Sequence, residues 1–327
     1  MIEVTKKQPI LYMIIPCFNE QDVLPVTIPL FLEKIQYLIK NDLISQKSRI
    51  LFVDDGSDDR TWEIIKDFAE ETPYCLGISQ SSNKGHQNAI LAGLMEVKDY
   101  CDITISMDCD GQDDISKVDE MIEQYKKGYE IVYGVRCDRK TDSFFKRFSA
   151  KSYYKLLNKI GVDTIPDHAD FRLVSARVLQ ELSNFHEVNL FLRGLFQIIG
   201  FSSTKVYYER KERIKGKTHY SLSKMIFLAF DGITGFSVWP IRFIIKLGFA
   251  VTLLSIVAIM WAIIMSITGH TVSGWTSLMC VICFFGGINM TALGVIGEYI
   301  GKTFLEAKHR PRYIIKERTY EGINTDK

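Results

Sequence analysis

The chain has 327 residues, 47% of them hydrophobic, and a formal net charge of +1. That length suits one large domain or two smaller ones, and so even a charge balance argues against a nucleic-acid partner. The seven cysteines (Cys17, Cys75, Cys101, Cys109, Cys137, Cys280 and Cys283) are scattered and odd in number, unlike a disulfide framework and in keeping with a reducing compartment. Cys280 and Cys283 form a C-x-x-C inside an apolar run without a flanking His, which reads as small hydrophobic filler on a helix. The start, MIEVTKK, is not that of a cleavable signal peptide.

Ile10 to Pro16 is a continuous apolar run of the kind that forms a buried parallel strand, followed by Cys17-Phe18-Asn19-Glu20. Helical spacing then runs to about Lys40. A second strand, Arg49 to Val53, ends in Asp54-Asp55-Gly56-Ser57-Asp58-Asp59, and a helix follows from near Arg60. The third strand covers Cys75 to Gln80, with Asn83-Lys84-Gly85 and a helix through Met95 behind it. The fourth is Ile103 to Met107, and the fifth, Glu130 to Val135, ends at Arg136. Five alternations of strand and helix predict a doubly wound, mostly parallel α/β sheet with acidic loops along one edge. No G-x-G-x-x-G follows the first strand, and Gly216-Lys217-Thr218 lacks the earlier glycine of a phosphate-binding loop because Lys211 stands there.

The densest chemistry lies at Ile103 to Asp114, ITISMDCDGQDD. Its apolar strand breaks into Asp108, Asp110, Asp113 and Asp114, at the sheet edge where open α/β folds bind ligands. Asp108 and Asp110, two apart, would point the same way on a continuing strand and repel unless something positive lies between them. A hard cation with oxygen ligands, Mg²⁺ or Mn²⁺, answers that need and leaves positions for substrate phosphates. Gln112 adds a neutral oxygen at the same spacing.

Phe144 to Ile160 has the pattern of an amphipathic helix with Arg147, Lys151, Lys155 and Lys159 in one basic stripe, suited either to solvent or to anionic headgroups. Asp167 to Leu173 is a polar cluster running into a further short strand. Ser221 to Phe236 has helical periodicity with a polar back, as in a helix lying on a bilayer. Trp239 and Arg242 then stand where an interfacial anchor belongs. Leu247 to Ile267 and Trp275 to Ile296 contain no Asp, Glu, Lys or Arg, and each is long enough to span a hydrocarbon core of ~30 Å. Arg242 and Lys246 precede the pair, Lys302, Lys308, His309, Arg310 and Arg312 follow it, and the connecting loop has no Lys or Arg. The positive-inside rule therefore predicts both termini on the cytoplasmic side. Gly286-Gly287 and Gly294 would permit close helix packing, so a homo-oligomer stays open.

In order along the chain, IIPCFNE, VDDGSDD, NKGHQNAI, MDCDGQDD, the strand end at Arg136, FFKRFSAKSYYKLLNKI, HADFRL, RIKGKTHYS and the paired apolar spans resemble the polyprenyl-phosphate glycosyltransferases. This is the bactoprenol glucosyltransferase and dolichol-phosphate mannose synthase group of glycosyltransferase family 2, and the resemblance covers nearly the whole chain. It implies a GT-A type cytoplasmic domain over 1–220, juxtamembrane amphipathic helices over 221–246, a two-span hairpin over 247–297 and a basic tail over 298–327. By position, Pro16, Phe18, Glu20 and Asp54 would line the nucleoside site, with Asp54 at the base and Glu20 at the ribose. Asp108, Asp110 and Gln112 match the metal and diphosphate motif. Arg136, Arg147 and Arg213 match cations around donor and acceptor phosphates, and Asp170 stands where a catalytic aspartate is proposed. Three positions depart from the pattern: Arg60 replaces a usual Gly, Asp114 a frequent Pro, and His219 a common lysine. A histidine is only partly charged near pH 7, which puts phosphate contact by that side chain in doubt.

The implied reaction is inverting transfer of a hexose from a nucleotide-sugar to undecaprenyl or another polyprenyl phosphate at the bacterial cell membrane. UDP-glucose is the first choice of donor, ahead of UDP-N-acetylglucosamine, UDP-galactose and GDP-mannose. A processive polysaccharide synthase would carry a Gln-X-X-Arg-Trp element, yet none of Trp62, Trp239, Trp261 and Trp275 follows an arginine. The other competing reading is a silent nucleotide-sugar-binding scaffold in a membrane complex.

Overall fold

The structure is a computed structural model describing residues 8–137, 168–187, 192–209, 239–268 and 274–321, with part of the side chains in the two C-terminal helices. Strands β1 (Leu11–Cys17), β2 (Arg49–Asp54), β3 (Cys75–Gln80) and β4 (Ile103–Ser106) alternate with helices α1 (Leu24–Lys40), α2 (Thr61–Glu71) and α3 (His86–Val97). A short 3₁₀ turn, Ile115–Lys117, leads into α4 (Val118–Lys126), then β5 (Ile131–Arg136). After the next described segment begins come β6 (His168–Ser175), α5 (Ala176–Leu182), α6 (Leu192–Ile199) and β7 (Ser203–Tyr208). Two long helices, α7 (Trp239–Ile267) and α8 (Trp275–Ala307), precede the last strand, β8 (Ile315–Arg318).

Among the described residues, the eight strands form one sheet in the order β7-β5-β6-β4-β1-β2-β3-β8. β1 pairs in parallel with β2 and β4, β2 with β3, and β5 with β7, whereas β6 runs antiparallel to both β4 and β5 and β8 antiparallel to β3. The sheet is therefore mixed: β7, β5, β4, β1, β2 and β3 all run one way, as expected of a mostly parallel sheet, and β6 and β8 run against them. The departure from simple winding is that β6 occupies the slot beside β4 that chain order alone assigns to β5.

The strands read as apolar runs because both faces are covered. Leu11, Met13, Ile15 and Cys17 of β1 pack with Leu24, Ile28, Phe31 and Ile35 of α1, while Tyr12 and Ile14 pack with α3, α5 and α6 on the other side. Alternation with a period of two divides one strand between two cores. Helix α1 earns its place through a buried stripe, Leu24, Thr27, Ile28, Phe31, Ile35 and Leu38. Pro25 costs it little, since it lies in the first turn, where backbone N–H groups lack intrahelical partners, whereas Pro29 stands inside the helix and forgoes one i→i−4 bond. On the opposite face α3 approaches so closely that a Cβ on Gly93 would lie 2.5 Å from Ile14 Cγ2. The β2–α2 turn needs Gly56, which has φ +68° and whose added Cβ would meet the Ser82 carbonyl carbon at 2.6 Å.

The chain divides into two compact units: the sheet domain together with the C-terminal segment from Arg310, and the helices α7 and α8. Edge strand β8 thus belongs to the sheet, a docking that no local pattern in the basic tail announces. Trp62 Nε1 donates to Glu317 at 2.9 Å, the Gly77 N–H donates to Thr319 Oγ1 at 2.9 Å, and Arg318 meets Glu96 at 2.7 Å. Among the described residues no helix is long and apolar enough to cross a membrane, so the expected spanning hairpin stays an inference from sequence. The amphipathic segments expected at 144–160 and 221–236 lie outside the described residues.

Candidate active site

The C-terminal ends of β1, β2 and β4 and the start of α3 meet along one sheet edge. Pro16 is buried in β1, and Phe18 just beyond it is 42% exposed. Asn19 adopts φ 55°, donates its N–H to Ser57 Oγ at 2.9 Å and accepts the Asp58 N–H at 3.0 Å. The Glu20 N–H donates to Thr61 Oγ1 at 2.8 Å. These bonds stitch the β1–α1 loop to the β2–α2 loop, so Phe18, Glu20 and Asp54 share one rim. Buried Asp54 accepts Ser79 Oγ–H at 2.7 Å and the Ser57 N–H at 3.1 Å. Its neighbour Asp55 accepts the N–H groups of Lys84 and Gly85 at 2.8 and 2.9 Å. Burial raises the Asp55 carboxyl against those two backbone bonds.

Beyond β4 the acidic loop is held by its own backbone. The Asp108 N–H donates to Asp113 Oδ2 at 3.2 Å, the Gln112 N–H donates to Asp110 Oδ1 at 3.1 Å, and Gly111 turns the chain at φ 71°. Asp113 is a buried anchor: Tyr208 Oη donates to its Oδ1 at 2.6 Å, and Arg136 Nη2 lies 3.6 Å away. Arg136 also donates from Nε to Tyr208 Oη at 3.1 Å, as the β5–β7 register requires, since it pairs Arg136 with Tyr208. Desolvation, helped by the Asp113 charge and opposed by His86, pushes Asp108 up to about 6. Its Oδ1 is buried without a hydrogen bond and lies 3.4 Å from His86 Nε2.

Among the described residues no group of three or more His, Cys, Asp or Glu side chains is gathered to hold a metal by itself. The set Asp108, Asp110 and Gln112 instead offers two carboxylates and one amide oxygen. With Asp108 Oδ1 buried, lacking a hydrogen bond and met only by His86 Nε2 at 3.4 Å, these donors fit a hard cation that takes one or two carboxylates and completes its shell from phosphates.

Asp170 reaches the same place from β6. Ser106 pairs with Arg172, and continuing that antiparallel register by two residues sets Asp170 opposite Asp108. Ser106 Oγ fixes the junction by donating to the Asp170 carbonyl at 2.6 Å. The Asp170 side chain is 7% exposed and heavily engaged. Arg172 Nη2 donates to Oδ1 at 2.8 Å, Arg193 grips both oxygens at 3.2 and 3.0 Å, and Gln87 Nε2 donates to Oδ2 at 3.2 Å. His86 Nε2 stands 3.4 Å from Oδ2, between Asp170 and Asp108. Burial favours the neutral acid, but Arg193, His86 and Arg172 together hold the carboxyl well below the usual range. His86 in turn is raised, because the two carboxylates outweigh the burial that opposes its charge.

Of the residues singled out in the sequence, Asp54, Asp108, Asp110, Gln112, Asp170 and Arg136 stand on this edge with Pro16, Phe18 and Glu20 on its rim. Arg147 and Arg213 lie outside the described residues. Sequence reasoning assigned no role to His86, Gln87, Arg172, Arg193 or Tyr208. One signal was legible: Arg193 is the sole charge in a helix, LRGLFQII, whose only other polar side chain is Gln197, and such a charge needs a partner.

The signature of the family described as "Glycosyl transferase family 2" matches residues 12–183. The "Uncharacterized glycosyltransferase YkoT" of Bacillus subtilis (strain 168) is 50% identical over 310 residues, 95% of this chain and 92% of that one. The "Prophage bactoprenol glucosyl transferase homolog" of Escherichia coli (strain K12) is 38% identical over 306 residues, covering 93% and 97%. The "Bactoprenol glucosyl transferase" of Shigella phage SfV is 37% identical over 306 residues, again covering 93% and 97%. With a mixed α/β sheet of GT-A-like kind and an acidic strand edge, these matches define a glycosyltransferase. The chain belongs to glycosyltransferase family 2.

Proposed function

We propose that the protein is a membrane-bound, inverting glycosyltransferase that moves glucose from UDP-glucose to undecaprenyl or another polyprenyl phosphate. The observation that carries this reading is the extent of the likeness to bactoprenol glucosyl transferases. It covers 93% of the chain, well beyond the family signature at 12–183, and so takes in the C-terminal helices. Those helices hold the uncharged stretch from Leu247 to Ile296. They expose large apolar side chains, among them Phe249, Leu254 and Met290, which a bilayer would cover. With basic flanks on either side, we place the catalytic domain and both termini on the cytoplasmic face of a bacterial cell membrane.

A Mg²⁺ or Mn²⁺ ion held by Asp108, Asp110 and Gln112 would supply charge neutralisation for the departing nucleoside diphosphate. The protein's own groups do the rest. Asp54 faces the base and Glu20 the ribose, on a rim fixed by the Asn19, Ser57 and Thr61 contacts. Arg136, with Arg147 and Arg213, holds phosphate oxygens of donor and acceptor. A phosphate monoester has a second pKa of ~6, so the acceptor oxygen is already anionic near neutral pH and no strong base is needed. That oxygen forms a bond to the anomeric carbon as the bond from that carbon to the diphosphate breaks, and configuration inverts. Asp170 lies beside the reacting centre as a fixed negative charge that steadies positive charge developing on the sugar.

The test is a donor panel of UDP-glucose, UDP-N-acetylglucosamine, UDP-galactose and GDP-mannose, offered with undecaprenyl phosphate and Mg²⁺ or Mn²⁺ to membranes containing the protein. Products are resolved by lipid mass. A hexosyl-phospholipid from UDP-glucose is expected. Transfer from another donor alone replaces the sugar assignment, and nucleotide-sugar binding without turnover refutes the enzymatic reading of the site.

A further inference from the structure

Three elements that are distant in sequence converge on one carboxylate. From α3 come His86 and Gln87, from β6 comes Arg172, and from α6 comes Arg193. Gln87 closes the loop, donating to Asp170 with its amide nitrogen while its Oε1 accepts the Leu192 N–H at 3.2 Å. The N-terminus of α6 is thereby tied to the same carboxylate that its next residue grips. Arg172 is itself buried, with Nε and Nη1 lacking hydrogen bonds and its guanidinium 4.7 Å over the Phe196 ring. It therefore gives Asp170 one bond and little freedom. Arg193 gives two, in the side-on fork that matches a carboxylate, and its side chain is 32% exposed on the rim of the site.

We propose that Arg193 is a positioning residue for sugar transfer: its two-point grip fixes the Asp170 carboxylate in place and keeps both oxygens occupied. Asp170 then acts by charge and location and does not accept a proton from the acceptor. A carboxylate that receives bonds from Arg172, Arg193 and Gln87, with His86 alongside, has no well-placed lone pair left for a substrate hydrogen. The inference rests on the transfer reaction proposed above and goes beyond it by naming the residue that sets Asp170.

The experiment uses full-length protein in membranes with UDP-glucose and undecaprenyl phosphate, comparing wild type with Arg193→Gln, Arg193→Lys and Arg193→Ala. Displacing a reacting group by about 1 Å costs about 100-fold in rate. Arg193→Gln is expected to lose kcat on that scale with the donor KM nearly unchanged, and Arg193→Lys, which keeps the charge but not the fork, to fall between. Guanidinium ion added to Arg193→Ala is expected to restore part of kcat and to leave wild type unaffected. An Arg193→Lys or Arg193→Gln enzyme within about twofold of wild type overturns the proposal. So does a loss confined to donor KM, or an Arg193→Ala enzyme that binds donor but does not respond to guanidinium. If wild type transfers to no lipid phosphate, the function proposed above fails, and the grip is judged by acid unfolding. Arg193→Gln is then expected to unfold at higher pH than wild type, and coincident curves overturn it.

Discussion

Tyr208→Phe removes the two hydrogen bonds of a hydroxyl that ties the β5–β7 side of the sheet to the acidic loop. The ring is buried and packs edge-on against Phe171 at 5.3 Å between centroids, so the substitution leaves packing intact and removes only the hydroxyl. That hydroxyl donates to Asp113 Oδ1 at 2.6 Å and accepts from Arg136 Nε at 3.1 Å. A hydrogen bond to a charged group contributes about 1.5–3 kcal/mol. Asp113 retains the Asp108 N–H at 3.2 Å and the Arg136 guanidinium at 3.6 Å, which can close in on it. The lower part of that range, about 2 kcal/mol, is therefore expected. For a domain of this size it lowers Tm by about 4–8 °C. Because Asp113 sets the Asp108 backbone, sugar transfer should fall by about tenfold, the equivalent of ~1.4 kcal/mol in barrier. The assay is thermal unfolding in detergent alongside product formation at saturating donor. A Tm within about 1 °C of wild type would show that Arg136 replaces the lost donor and that the anchor argument is wrong.

Gly56→Ala combines a positive φ with a Cβ 2.6 Å from the Ser82 backbone. It should cost at least about 1–3 kcal/mol, read from the same melts. Chelator should abolish transfer, Mg²⁺ or Mn²⁺ should restore it, and Asp110→Ala should not be restored; full activity of wild type in chelator would refute the metal reading. Asp170 has a folded-state pKa below its unfolded one, so the stability it adds is present above the unfolded value of ~3.9 and lost as pH falls toward the folded one. Asp170→Asn should therefore flatten the acid limb of the unfolding midpoint against pH, and an unchanged limb would contradict the assignment. Deleting residues after Arg312 removes β8 and bares the β3 edge. Loss of its ladder bonds at about 1 kcal/mol each should destabilise the sheet domain by on the order of 3 kcal/mol, with the half-exposed Arg318–Glu96 pair adding little.

The parallel heart of the sheet was legible in the sequence because each strand is a local apolar run with a polar stop. Arg49 to Val53 and Cys75 to Gln80 sit within a residue of β2 and β3. The acidic stops mattered for the same reason: Asp54 ends β2 and Asp108 follows the end of β4 by two residues, and a strand end is a local fact. What local pattern does not carry is pairing at long range. The polar cluster Asp167 to Leu173 reads as running into a short strand, whereas it is itself most of β6, and nothing in it states that this strand runs antiparallel between β4 and β5. That placement alone brings Asp170 opposite Asp108. The same limit hid β8, whose four residues, IKER, look like basic tail until Gly77, Trp62 and Glu96 supply partners.

The buried charges at this edge have a common logic. Asp54, Asp55, Asp113 and Asp170 are all nearly inaccessible to water, and each ionised carboxylate would be costly there without compensation. Three are compensated by short-range donors: serine and backbone N–H for Asp54, two backbone N–H groups for Asp55, and tyrosine with arginine for Asp113. Asp170 has two arginines, a glutamine and a histidine. Asp108 differs: its Oδ1 has no hydrogen bond, it shares His86 with Asp170 at 3.4 Å, and its pKa is pushed up to about 6. Incompletely compensated charge is what a site retains when it is to gain from binding a cation. The neighbours of Asp108 are thus satisfied by the protein, and under the function proposed above Asp108 is the carboxylate whose compensation a bound cation would complete.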